Sequence, residues 1–328
     1  ERDELYRLNQ SKEIAPGDTR TRAARCEPLL AGREYRVDPV PGGGEVLSLT
    51  CTSVTQRNWS RVGVGRHSAA DGGGTPYFLK QNIDRSGRAH PDHWLEEREG
   101  AELGCELLGA AATIPRPVFV RPDLLLSVFD FVAVAPMNDL LRGAPEQFER
   151  CFDPVLQGCA ALLEKLGSMP DRVRTAGLPR KVRPYDTGRS AILFRGLEFR
   201  NLGPPLHPDG SPEPGRLVVF DLGQASIGPL EDAGARLFVS VGLLNWGRPL
   251  GRFLQGPDAS LMRRAYRSLR PYLSPAAVRA ELDRNIQQRQ QEVAASGRVE
   301  YLLKRVGIDL IGRRYFQALS GWVEQHCD

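Results

Sequence analysis

Residues 194–223 decide the reading. They run Phe194-Arg195-Gly196-Leu197-Glu198-Phe199-Arg200-Asn201, then a Pro/Gly-rich stretch from Pro204 to Gly215, then Leu217-Val218-Val219-Phe220-Asp221-Leu222-Gly223. The four apolar residues before Asp-Leu-Gly read as a short buried strand ending in a turn. An Asp-x-Gly after an apolar strand is by itself a common turn. An Asn, a Pro/Gly hairpin and an apolar strand ending in Asp form a more specific order, because they set Asn201 and Asp221 at neighbouring strand ends. Two oxygen ligands so placed suit a hard cation such as Mg2+, which takes one or two protein groups and completes its shell with water and phosphate oxygens.

Working upstream, the chain alternates between turn signals and short β patterns. Residues 46–54, 59–65 and 77–81 read as three strands, with a glycine-rich loop over 68–75. The third, Tyr77-Phe78-Leu79-Lys80-Gln81, carries Lys80, one of only five lysines in the chain. A helix follows over 93–108. Its large apolar residues Trp94, Leu95, Leu103, Leu107 and Leu108 leave a polar gap in the middle. Ile114-Pro115-Arg116-Pro117 ends it, and 117–120 and 124–132 read as further strands, the second apolar enough for burial on both faces. Residues 1–45 are polar and Arg-rich, ending in Pro41-Gly42-Gly43-Gly44, and read as an N-terminal extension with short elements. The remainder is mostly helical, over 145–166, 233–244, 259–273, 275–295, 299–306 and 313–325. The expected domains are the extension 1–45, a β-rich lobe 46–135 and a helical lobe 136–328.

These residues supply the parts that phosphoryl transfer from ATP needs. Lys80 on its strand would hold phosphates. Glu99, 19 residues later in Glu96-Glu97-Arg98-Glu99-Gly100-Ala101, would hold Lys80, with Glu96 in reserve. Asn201 and Asp221 would bind Mg2+. They occur in the required order on the expected elements.

In this respect the chain resembles the protein-kinase-like superfamily over roughly residues 46–245, and within it the lipopolysaccharide core kinases and the aminoglycoside-phosphotransferase branch of small-molecule kinases. Tyr77-Phe78-Leu79-Lys80 is similar to the Lys strand of the lipopolysaccharide kinases. Arg98-Glu99-Gly100-Ala101-Glu102-Leu103 with Ile114-Pro115-Arg116-Pro117 is similar to the Glu helix and the strand after it. Asp221-Leu222-Gly223-Gln224-Ala225 looks like the metal-binding Asp segment. The resemblance implies an α+β bilobal fold, a small antiparallel β-rich lobe with one inserted helix and a larger helical lobe. ATP would lie between the lobes, with adenine against backbone groups of Asp130, Phe131 and Val132.

Two departures stand out. The family's base Asp lies five residues before the Asn, and here that position is Gly196. Glu198 is the substitute base this reading favours, with Asp186 behind it. The glycine-rich phosphate loop is replaced by Ser53-Val54-Thr55-Gln56-Arg57-Asn58, where Thr55, Gln56 and Asn58 would offer side-chain donors. The expected function is phosphotransfer to a sugar or other small-molecule hydroxyl, with a glycolipid sugar of the lipopolysaccharide core favoured. The alternatives are a pseudokinase scaffold working through a protein partner, and nucleotidyl transfer.

Composition bounds the rest. The 328 residues carry 44 Lys+Arg against 40 Asp+Glu, a net charge of +4, so no nucleic-acid footprint dominates and no nucleic-acid partner is expected. The six cysteines show no C-x-x-C spacing and read as free thiols. No apolar run approaches the roughly 20 residues that span a bilayer, and the charged start Glu1-Arg2-Asp3-Glu4 is unlike a signal peptide. The expected location is cytoplasmic, with peripheral contact at the inner membrane, through the basic stretch Tyr301 to Trp322, held open. His90 and His93 form H-x-x-H without an evident third ligand.

Overall fold

The computed structural model describes residues 26–40, 45–57, 60–67, 74–84, 86–167, 190–223, 225–245, 255–294 and 313–326. Six antiparallel strands close into a barrel in the order β1-β2-β3-β4-β6-β5. They are β1 (Glu34–Pro39), β2 (Leu47–Gln56), β3 (Arg61–His67), β4 (Pro76–Gln81), β5 (Pro117–Arg121) and β6 (Leu126–Asp130). Helix α1 (Pro91–Leu108) is inserted between β4 and β5. Leu49, Cys51, Leu79, Leu126 and Val128 fill the barrel.

The first strand lies inside what the sequence pattern marks as an extension. Glu34-Tyr-Arg-Val-Asp alternates, with Tyr35 and Val37 buried. Pairing of β1 with both β2 and β5 is what closes the sheet and removes its free edges. Leu29 joins the same core, and its N–H donates to Oε1 of buried Gln81 at 2.7 Å. The strand expected over 124–132 is shorter, because Pro122–Leu124 forms a 3₁₀ turn and Leu125 takes a left-handed φ of 49°.

The second part is helical. It contains α2 (Met137–Gly143), α3 (Pro145–Gly167), α4 (Leu230–Gly242), α5 (Ala259–Leu269), α6 (Pro275–Ala294) and α7 (Arg313–His326), with the short strands β7 (Ser190–Phe194), β8 (Leu202–Gly203), β9 (Val218–Val219) and β10 (Ala225–Pro229). Helix α3 buries Phe148, Phe152, Val155, Leu156, Cys159, Leu162, Leu163 and Leu166, the 3.6-residue stripe of a core helix. This core includes Leu107 and Leu108 at the end of α1, so α1 is anchored in both parts. The whole is an α+β chain with a β-rich lobe, one inserted helix and a larger helical lobe. Among the described residues no helix is long and apolar enough to cross a membrane. The helix expected over 299–306 lies outside the described residues, as does most of the basic stretch from Tyr301.

Candidate nucleotide-phosphate site

Lys80 lies on β4 opposite Val62 of β3 and Ser127 of β6, so two neighbouring strands fix its backbone. The residue is 8% exposed. Its ammonium forms ion pairs with Glu97 of α1 and, at 2.8 Å, with Oδ1 of Asp221. This contact joins residues 141 apart in sequence. Burial works against the charged ammonium, but the Asp221 and Glu97 carboxylates outweigh it and hold Lys80 above the ordinary lysine range. Lys80 in turn draws the Asp221 carboxyl below the usual range, against the effect of burial. For Glu97 burial dominates and pushes the carboxyl up, although Lys80 and a 3.1 Å hydrogen bond from Asn82 Nδ2 oppose it.

The partner of Lys80 is therefore Glu97, not Glu99 or the reserve Glu96. Glu99 is exposed. The reason lies in the face that α1 buries. Trp94, Ala101, Gly104 and Leu108 are buried, and with Glu97 they fall at spacings of three, four, three and four, a single stripe along a helix. Glu99 stands off that stripe. The middle of the stripe is built from small residues, which large-residue periodicity does not reveal.

Those small residues bring backbone against backbone. A Cβ built on Gly100 would fall 1.8 Å from the Gly223 carbonyl oxygen, and one on Gly104 would fall 2.3 Å from Leu222 Cδ1. Helix α1 thus rests directly on the turn that carries Asp221. Just past α1, Thr113 N–H donates to the Leu217 carbonyl at 2.8 Å and its carbonyl accepts from Val219 N–H at 2.9 Å. The helix bearing Glu97 and the strand leading to Asp221 are bound as one piece.

Asn201 and Asp221 come together as the hairpin order implies. Leu202 pairs with Val219, and Phe220 N–H donates to the Asn201 carbonyl at 3.1 Å. Asn201 Nδ2 donates to the Gly196 carbonyl at 2.8 Å, which leaves its Oδ1 as the free acceptor for a cation. Asp221 has φ 57°, a region that Asp tolerates better than most residues, and backbone held there costs on the order of 1–3 kcal/mol. Its side chain is 49% exposed even while paired with Lys80. One amide oxygen and one half-open carboxylate fit a magnesium ion that draws its remaining ligands from phosphates and water. Among the described residues no group of three or more His, Cys, Asp or Glu side chains could hold a metal by itself.

Gly196 stands where the resemblance expects a base. Its N–H donates to the Leu222 carbonyl at 2.7 Å, and a Cβ there would lie 1.6 Å from the Asp221 carbonyl oxygen. The space for a side chain is filled by backbone. Glu198, two residues on, is ion-paired with Arg200 Nε at 2.5 Å and lines a polar cavity of about 190 Å³. Asp186 lies outside the described residues.

Where β6 ends, Asp130 N–H donates to the Arg116 carbonyl at 2.9 Å, and the Ala133 carbonyl accepts from Leu206 N–H at 2.9 Å. Phe131 and Val132 sit between these two anchored points, with Phe131 43% exposed. Burial pushes the Asp130 carboxyl up, against the pull of Arg116. In the β2–β3 hairpin the Gln56 amide is already committed, donating to the Arg57 carbonyl at 2.7 Å and the Ser60 carbonyl at 3.2 Å. It closes the turn rather than facing a ligand. Thr55 is exposed, and Asn58 lies outside the described residues. The rings of His90 and His93 stack at 5.6 Å, and His90 pairs with Asp84 at 3.4 Å. Five cysteines are free thiols, and burial pushes the Cys159 thiol up to about 12. Cys327 lies outside the described residues.

No family model matches the chain, and no curated protein matches it. Among solved structures, it is similar to amicoumacin kinase hAmiN in complex with AMP-PNP, Ca2+ and Ami, at 10% identity and a TM-score of 0.44, covering 85% of this chain and 89% of that one. It is also similar to choline kinase LicA from Streptococcus pneumoniae, at 11% identity and a TM-score of 0.38, covering 84% of this chain and 94% of that one.

Proposed function

We propose that this chain is an ATP-dependent phosphotransferase with a protein-kinase-like architecture, acting on a hydroxyl of a sugar or other small molecule. The acceptor suggested by the sequence resemblance is a glycolipid sugar of the lipopolysaccharide core. The observation that carries the proposal is the Lys80–Glu97 and Lys80–Asp221 pairing, with Asn201 beside Asp221. A strand lysine clamped by a helix glutamate and set against a metal-type carboxylate is the charge arrangement that phosphoryl transfer uses.

Each residue has a role in this reading. Lys80 meets phosphate oxygens, and Glu97 holds its ammonium in place. Oδ1 of Asn201 and the carboxylate of Asp221 hold magnesium, which when bound offsets charge on the phosphates. Phe131 and Val132 face adenine. Glu198 orients the acceptor hydroxyl and is the available proton acceptor. General-base catalysis contributes roughly 10²–10⁴-fold, whereas transfer itself depends chiefly on positioning and electrostatics, so a displaced or absent base lowers the rate without removing the reaction.

One observation favours a second reading. The backbone that fills the side-chain space at Gly196 suits a pseudokinase that binds nucleotide and signals to a protein partner. Calorimetric titration with ATP, with and without Mg2+, on the parent chain and Asp221→Ala tests the shared premise. Magnesium-dependent binding lost in the variant supports the site, and no binding by the folded parent chain sinks it. Analysis of the products then divides the readings: ADP with a phosphorylated acceptor supports the kinase, AMP transfer supports nucleotidyl chemistry, and binding without turnover supports the scaffold.

A further inference from the structure

We infer that the cavity lined by Glu198 and Arg200 takes a hydroxyl-rich acceptor bearing an acidic group, with the acid held by the Arg142 guanidinium; the inference rests on the phosphotransfer reading above.

The cavity lies where α2, the 3₁₀ turn Phe199–Asn201, α4 and α6 converge. At about 190 Å³ it falls below the roughly 300–1,000 Å³ of pockets for drug-sized ligands, which suits a single sugar-sized ring. Leu243 and Leu244 are its only apolar lining residues among those described; every other one carries a charge, an amide or a hydroxyl. An acyl chain would gain little here and would strand polar groups, whereas hydroxyls can pair with them.

The charges specify more. Glu198 is paired with Arg200, and Glu281 with Arg236 and Arg284. Arg236 is further committed to the Phe194 carbonyl at 2.8 Å. Both carboxylates of the cavity are thus paired with arginines of the chain itself. Arg142, an exposed lining residue, has no carboxylate partner among the described residues. Asn138 lies one helical turn before it on α2, so both can reach the same ligand group. A guanidinium fork presents two parallel donors to a carboxylate or phosphate, and the unmatched positive charge disfavours a cationic acceptor.

Placement ties the cavity to the phosphate site. Glu198 and Arg200 both lie within three residues of Asn201 in sequence. A ligand whose acid lies on the α2 wall would share the cavity with Glu198 and Arg200.

The test is calorimetry on the full chain at matched ionic strength, using glucose 6-phosphate, glucuronate, glucose and glucosamine. The expected result is that at least one acid binds about tenfold more tightly than glucose or glucosamine, and that Arg142→Gln erases about tenfold of that affinity while thermal unfolding shows the variant folded. The two acids separate phosphate from carboxylate recognition. The proposal is overturned if neither acid binds, if Arg142→Gln binds the acid as tightly as the parent, or if glucosamine binds as tightly as the acids. A separate Mg-ATP titration of the parent chain keeps the readings apart. Acid binding without nucleotide binding sinks the phosphotransfer reading alone, and nucleotide binding without acid binding sinks the cavity proposal alone.

Discussion

Replacing Gly196 by aspartate puts a carboxylate five residues before Asn201, where the resemblance expects a base, and we expect it to fail as a catalytic rescue. The geometry gives the reason. A Cβ at Gly196 would lie 1.6 Å from the Asp221 carbonyl oxygen, 2.7 Å from its carbon and 2.9 Å from the Leu222 carbonyl carbon. To reach a 3.0 Å contact the two backbones must separate by about 1.4 Å. That movement breaks the hydrogen bond from Gly196 N–H to Leu222, at 2.7 Å, and strains the one from Asn201 Nδ2 to the Gly196 carbonyl, at 2.8 Å.

Overpacking costs about 1–3 kcal/mol and each lost hydrogen bond about 0.5–1.5 kcal/mol. With one hydrogen bond broken the sum is roughly 1.5–4.5 kcal/mol. At about 2 °C per kcal/mol for a chain of this size, the midpoint of thermal unfolding falls by roughly 3–9 °C. Gly196→Ala carries the same Cβ without the carboxylate and should lose a similar amount. Scanning calorimetry with an ADP-release assay reads both quantities. If Gly196→Asp melts like the parent and turns over about 10²–10⁴-fold faster, the space exists and the account of this loop is wrong.

Other substitutions test the charge cluster. Glu97→Gln should weaken Mg-ATP binding by about tenfold or more, while Glu99→Gln should change it by less than about twofold; equal effects in calorimetry would mean that α1 presents a different face. Lys80→Met leaves Glu97 buried without its cation, a loss of roughly 3–5 kcal/mol, and adding Glu97→Gln should recover most of it in denaturant unfolding; a double variant no more stable than Lys80→Met would refute the coupling. Asp221→Asn keeps a side chain that tolerates positive φ but removes the charge. Because Lys80 draws the Asp221 carboxyl down, the stability it contributes is present above its unfolded value near pH 4 and is lost as pH falls through the lower folded value. The stability gap between parent and variant should therefore hold steady from about pH 5 to 8 and shrink below about pH 4, and a gap that widens on acidification would contradict the pairing.

The sequence pattern reveals the strand lysine and the Asn–Asp hairpin because each depends on local signals. Lys80 interrupts an apolar run, and Asp221 ends one before a glycine. The glutamate does not follow from such signals. Four acids crowd residues 96–102, and the choice among them depends on which face of α1 turns inward. That face is set by Gly100, Ala101 and Gly104, whose burial comes from close backbone approach rather than from apolar bulk. Reading small residues as a packing stripe would have singled out Glu97. Strand β1 is hard to read for a similar reason, since the alternation of Tyr35 and Val37 is brief and set among the charged residues Glu34, Arg36 and Asp38.

The same close approaches explain why the base position that the sequence resemblance implies is a glycine, Gly196. The turn Asp221–Gly223 is held between α1, through Gly100, and the loop before Asn201, through Gly196. Both contacts exclude a Cβ. They bring the helix that holds Lys80, the metal-type carboxylate and the Asn201 loop into register through backbone alone, with no side chain to flex between them. That rigidity suits chemistry limited by placement of charge. It also leaves no room for a carboxylate at Gly196, so in the proposed phosphotransfer reading the acceptor proton falls to Glu198 on the cavity wall. The meeting of Lys80, Glu97 and Asp221 and the exclusion of a side chain at Gly196 are consequences of one packing arrangement.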